Sequence, residues 1–118
     1  MGSSYRDLLV WQKAMELVNQ VYSVTDDFPQ NELFGLTSQI RRSAVSIPSN
    51  IAEGHGRNSN KEFLRFIYIA LGSLAELDTQ TEIATRQQML TEAQATSIFQ
   101  QITETRKMLY GLANSLKN

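Results

Sequence analysis

The chain has no cysteine, one histidine, two prolines and six glycines among its 118 residues. Without cysteine there is no disulfide and no thiolate metal site, and His55 alone gives no pair for a histidine-based one, so no metal or cofactor is expected. No apolar run approaches the roughly 20 residues that a membrane-spanning helix needs, and the N-terminus lacks the charged start and apolar core of a secretory signal. A cytoplasmic protein with no membrane contact is expected. Nowhere do apolar and polar residues alternate between turn residues, which excludes a sheet as the main architecture.

What is present reads as a folded helical protein: 42% of residues are hydrophobic and 19% charged, too apolar for a disordered tail. The length suits a single domain over 1–118. Met1-Gly2-Ser3-Ser4 reads as a disordered start or one added for expression. Net charge is -1, so the chain as a whole does not attract nucleic acid, but its charge is segregated. Residues 1–40 carry a balance of -3, and residues 41–65, with Arg41, Arg42, Arg57, Lys61 and Arg65 against Glu53 and Glu62, carry +3.

Apolar spacing predicts four helices joined by short connections, hence an all-α, antiparallel up-and-down four-helix bundle. In the first, Val10, Ala14, Leu17, Val21 and Val24 form the inner face. Trp11, Val18 and Tyr22 widen that face and Leu8 and Leu9 fall outside it, an arc broader than one core needs. Asp26-Asp27-Phe28-Pro29 ends this helix, because the residue before a proline resists helical geometry. The second runs from about Asn31 to Glu53, with a stripe of Leu33, Leu36, Ile40, Ala44, Ile47 and Ile51, and stops at Gly54-His55-Gly56, where glycine suits a left-handed end. Ser59-Asn60-Lys61-Glu62 and Thr91-Glu92-Ala93-Gln94 are capping boxes that open helices three and four. Helix three carries Phe63, Phe66, Ile67, Ala70, Leu74, Leu77 and Ile83 or Ala84 inward. Helix four carries Ile98, Ile102, Thr105, Leu109, Leu112 and Leu116.

The stretch SIPSNIAEG at residues 46–54 sets Pro48 inside the second helix. A proline there removes one backbone hydrogen bond and crowds the preceding turn, at roughly 3 kcal/mol unless something compensates. Either a new helix starts at Pro48 or one helix continues with a kink. A restart would leave a short helix with Ile47 as an unsuitable cap, whereas Ser43, Ser46, Ser49 and Asn50 are placed to bond freed backbone groups, so the kink is the reading adopted.

Glu53, His55 and Arg57 stand together at a helix end and have the residue types of acid, base and phosphate clamp. Against catalysis, GHGRNSNK lacks phosphate-loop spacing, no nucleophile pairs with His55 in a known motif, and the paired Glu-x-x-His motifs of di-iron bundles are missing. No enzyme activity is expected. The basic island offers more: Lys61 and Arg65 share the outer side of helix three with Tyr68, and Arg41, Arg42 and Arg57 come from the helix and loop before it. Cations beside an exposed tyrosine suit phosphate contact and base stacking, and a merely solvated face, partly neutralised by Glu53 and Glu62, is the alternative. Gly72, on that same outer face, stands where solvent alone would favour a better helix former by about 1 kcal/mol. With Leu8, Trp11 and Tyr68 it marks a surface for self-association, the alternative being a tolerated surface glycine.

YRDLLVWQKAMEL at 5–17, FPQNELFGLTSQIRRSAVSIPSNIAEGHGR at 28–57 and EFLRFIYIALGSLAELDTQ at 62–80 resemble the four-helix-bundle proteins of 23S ribosomal RNA intervening sequences. After about residue 90 the likeness is one of pattern. The accessory variability proteins of diversity-generating retroelements are similar in fold. The resemblance implies a homopentameric barrel of bundles and, for the retroelement branch, binding to RNA and to a reverse transcriptase. The family's basic character in QIRR falls on Arg41 and Arg42, and that of GxGR on Arg57. Two functions remain open: a nucleic-acid-binding accessory protein, and an oligomeric scaffold that binds another protein.

Overall fold

The computed structural model describes residues 4–117; of the start expected to lie outside the fold, Met1-Gly2-Ser3 falls outside the described residues. Ser4 belongs to the fold, since its hydroxyl accepts the Arg6 N–H at 3.1 Å and caps a 3₁₀ turn at Tyr5–Asp7. Four helices come after it: α1 Leu9–Thr25, α2 Ser38–His55, α3 Asn60–Arg86 and α4 Glu92–Leu116. Each packs on its neighbours in sequence and α1 closes the ring on α4, giving the antiparallel bundle, 45 × 23 × 20 Å.

The apolar stripes do as their spacing requires. Val10, Ala14, Leu17, Val21 and Val24 of α1 are buried, as are Ile40, Ala44, Ile47 and Ile51 of α2. From α3 they meet Ile67, Ala70, Leu74, Leu77 and Ala84, and from α4 Ile98, Ile102 and Leu109, while Phe66 is buried beside Gly54. Of the pair Ile83 or Ala84, the alanine faces in and Ile83 is exposed. Phe28 is also buried and folds over the end of α1, its N–H bonded to the Thr25 carbonyl.

The second helix is assembled from pieces. A 3₁₀ turn at Gln30–Glu32 runs into a wide π turn at Leu33–Thr37, and α2 begins only at Ser38. The discontinuity is at Gly35, whose torsions, φ -110° and ψ -110°, are not helical. A π turn holds one more residue than an α turn and so rotates the segment before it by about 100° relative to the helix after it. Leu33, expected in the core stripe, is therefore exposed, while Leu36 still packs on the core.

Past that joint α2 runs on through Pro48 without restarting. The serines and asparagine do not go to the Ala44 carbonyl that proline leaves without its donor. The Ser43 hydroxyl lies 3.0 Å from the Ile40 carbonyl and 2.7 Å from Gln80 Oε1 on α3. Ser46 and Ser73 share a 2.7 Å hydrogen bond across the same seam, and Asn50 Nδ2 donates to Ser46. The Ser43–Gln80 and Ser46–Ser73 bonds clasp α2 to α3, and Asn50 braces Ser46 from within α2.

Two caps also differ from expectation. Thr91 and Gln94 form the full capping box, but before α3 only Ser59 acts, accepting the Glu62 N–H at 3.1 Å, while the Glu62 carboxylate turns to Arg65. Gly54 is inside α2, and Gly56, which comes directly after the helix, keeps φ at -79°. Gly54 serves close approach instead: a Cβ there would lie 2.6 Å from Phe66 Cβ and 3.0 Å from Phe63 Cδ1. Neither α2 nor α3 can move without opening the core, so Gly54→Ala is expected to destabilise the fold by about 1–3 kcal/mol in urea denaturation. An unchanged midpoint would show that the seam yields.

Candidate nucleic-acid interface

The five cations of the basic island do not meet on one surface. Arg41 and Arg42 are in the first turn and a half of α2, while Arg57 lies two residues beyond its end and Lys61 and Arg65 open α3. At 1.5 Å per residue the two groups are about 20 Å apart along the bundle. Antiparallel packing sets the start of α2 beside the far half of α3, so the notch next to Arg42 is lined by Glu76 and Gln80 and not by Lys61.

Within the first group the two arginines differ. Arg41 is folded against the end of α1: its Nε donates to Thr25 Oγ1 at 2.8 Å, its Nη2 to Asp26 Oδ1 at 3.0 Å, and its guanidinium stacks 4.6 Å from the Tyr22 ring centre. The acidic turn that ends α1 thus finds its counter-charge on α2, and Arg41 ties the corner. Arg42 is exposed and makes no ion pair among the described residues.

At the other pole Arg57 and Arg65 both lie over the Phe66 ring, at 4.8 and 4.9 Å. Arg57 bonds Glu53 at 2.9 Å and Arg65 reaches Glu62 at 3.5 Å. These pairs are exposed and contribute little to stability, but they leave Lys61 as the one cation of this group without an ion pair among the described residues. Of the candidate catalytic residues, Glu53 is occupied by Arg57, and His55 packs edge-on against Phe63 at 5.8 Å. Among the described residues no cluster of three metal-binding side chains occurs, and no helix is long and apolar enough to cross a membrane.

The positions read as a self-association surface are spread over two faces. Leu8 and Trp11 are half-buried in their own chain, Trp11 edge-on to Tyr5 at 5.3 Å. Trp11 borders a shallow groove between α1 and α2 with Met15, Val18, Pro48 and Ala52. Tyr68 and Gly72 face outward on α3, and a Cβ added to Gly72 would meet nothing within 4 Å, so nothing in the chain itself requires glycine there.

The sequence reading missed Phe34. Placed inside a presumed helix and off its apolar stripe, the residue drew no notice, yet its side chain is 94% exposed. It lies beside an open pocket with Tyr22, Val45 and both arginines of α2. The division of labour between those arginines predicts that Arg41→Ala lowers stability by about 1–2 kcal/mol, because its hydrogen bonds and ring stacking disappear. Arg42→Ala should stay within about 0.5 kcal/mol of the parent. Equal losses in chemical denaturation would contradict this assignment.

Among solved structures, the chain is similar to a protein of unknown function from the S23 ribosomal protein family of Bacteroides thetaiotaomicron. The two share 27% identity with a TM-score of 0.83, over 90% of this chain and 96% of that one. No curated protein matches. Residues 6–111 match the family described as 23S rRNA-intervening sequence protein, well past the point near residue 90 where motifs gave way to pattern. On that match, across most of its length, the chain belongs to the 23S rRNA-intervening sequence protein family.

Proposed function

We propose that this is a cytoplasmic, non-enzymatic accessory protein that assembles into a homo-oligomer, a pentamer by family likeness, and binds RNA weakly through its cations. The outer stripe of α3 carries the reading. Lys61, Arg65, Tyr68 and Gly72 succeed one another at intervals of four, three and four residues, which places them in one line along the helix. The line is basic at one end and, with Tyr68 and the open position at Gly72, suited to close packing at the other. Cations at both poles of one protomer are too few for tight binding. Repetition around an oligomer multiplies them, and linked weak contacts raise avidity by about 10²–10⁴. A nucleic-acid enzyme is a further partner under this reading.

A second reading, a scaffold that binds another protein without nucleic acid, is favoured by how many of the cations are already engaged. Arg41, Arg57 and Arg65 all hold carboxylates, while Leu9, Phe34, Tyr68, Ile69, Ile83 and Tyr110 expose apolar surface. Salt dependence separates the two.

Light scattering should give a mass several times 13.3 kDa, and Gly72→Leu should lower that mass while helicity is kept. A strict monomer at micromolar concentration would remove both the oligomer and this role of Gly72. Structured RNA and single-stranded DNA should bind at low salt and release as salt rises. Arg42→Ala and Lys61→Ala should each reduce affinity, and should flatten the slope of log affinity against log salt by roughly 0.7–0.9 for each phosphate no longer neutralised. No binding at low salt, or variants that bind as the parent does, would leave the scaffold reading in its place.

A further inference from the structure

We propose that the pocket beside Phe34 holds an unpaired base of a single-stranded nucleic acid, with Arg42 on the adjoining phosphate. The proposal rests on the RNA-binding reading above and adds where, and by what chemistry, a base is held. Phe34 is 94% exposed although the turn that carries it is held on both sides. Glu32 accepts the Leu36 N–H on one side of it, at 3.3 Å, and Thr37 is buried on the other. The π turn therefore presents the ring outward from a fixed position, and turns of this type recur at functional sites.

The space next to the ring is an open pocket of about 490 Å³, with Tyr22, Leu33 and Val45 among its walls. Arg41 contributes a flat guanidinium already stacked on Tyr22 and neutralised by Asp26. It is a stacking wall more than a charge. Arg42, at the same pocket, is exposed and makes no ion pair among the described residues, so its charge is available to a ligand.

An aromatic face, a guanidinium plane and one uncommitted cation are the elements by which proteins hold single-stranded nucleic acid. The base lays its π face on Phe34, while a phosphate oxygen accepts hydrogen bonds from Arg42. A purely apolar occupant, such as a helix face of a second copy, would cover Phe34 but desolvate Arg42, which makes no ion pair even with Glu76 in the adjoining notch, and that is costly. The charge at the rim thus favours a nucleotide.

The test uses the full chain and fluorescence anisotropy at low salt, with labelled single-stranded polyadenosine and with an abasic strand of equal length. The parent should prefer polyadenosine. Phe34→Ala should weaken polyadenosine binding roughly 5- to 150-fold, as loss of one base stack does, and should abolish the preference. Phe34→Trp should keep it, and Arg42→Ala should weaken both strands alike. Because the ring stands in solvent, Phe34→Ala should leave circular dichroism and oligomer mass unchanged. If Phe34→Ala binds polyadenosine as the parent does, or if the parent does not distinguish the strands, the base pocket is overturned while binding through the cations stands. A changed mass for Phe34→Ala would make the ring a contact between copies and overturn the proposal. Failure of both strands to bind at low salt removes the RNA reading and the pocket together.

Discussion

The contact of Gly54 with Phe66 fixes much of the rest of the molecule. With no side chain at Gly54, the end of α2 rests directly on the first turns of α3, at a separation that a single methyl group would violate. That close approach turns the chain sharply through Gly56 to Ser59. It also holds the Phe66 ring where Arg57, from the loop, and Arg65, from α3, both reach it. Farther along the seam the Ser43–Gln80 and Ser46–Ser73 hydrogen bonds set the register between the two helices. Polar groups buried in a helix interface specify one alignment because any shift leaves them unsatisfied.

That alignment decides what the charges can do. Arginine and lysine close in sequence around a helical hairpin look like one patch, but an antiparallel hairpin brings the last residues of one helix to the first residues of the next and sends the others to the far pole. Arg57, Lys61 and Arg65 are gathered, and Arg41 and Arg42 are not. Engagement sorts them further. Arg41 braces the corner between α1 and α2, and the two arginines over Phe66 hold carboxylates about one turn away in the chain. Arg42 at one pole and Lys61 at the other are the two of the five without an ion pair among the described residues, and Arg42 shares a pocket with the exposed Phe34.

Pro48 illustrates a motif whose meaning changed on folding. Its ring is buried against the groove bordered by Trp11 and Met15, and the helix continues past it. Of the polar residues around it, which by proximity alone suit repair of the broken backbone hydrogen bond, Ser43 and Ser46 reach across to α3 and Asn50 donates back to Ser46 within α2. The non-helical torsions of the second helical segment are at Gly35, thirteen residues earlier in the chain.

By itself the sequence determined the class of fold, the number of helices and most of the core, because apolar spacing near 3.6 residues dictates which face of each helix must leave water, and short connections dictate antiparallel neighbours. It also signalled the Thr91–Gln94 cap, although the same spacing at Ser59 and Glu62 gave only half a box, because the Glu62 carboxylate pairs with Arg65. Tertiary structure alone decided the rest. Whether Gly54 ends a helix or admits a neighbour depends on Phe66, twelve residues away in sequence and in contact in space. Whether Arg41 is a ligand contact or a brace depends on Thr25 and Asp26. Whether Leu33 faces core or solvent depends on a π turn, whose single extra residue shifts the helical phase and leaves no mark in composition or periodicity.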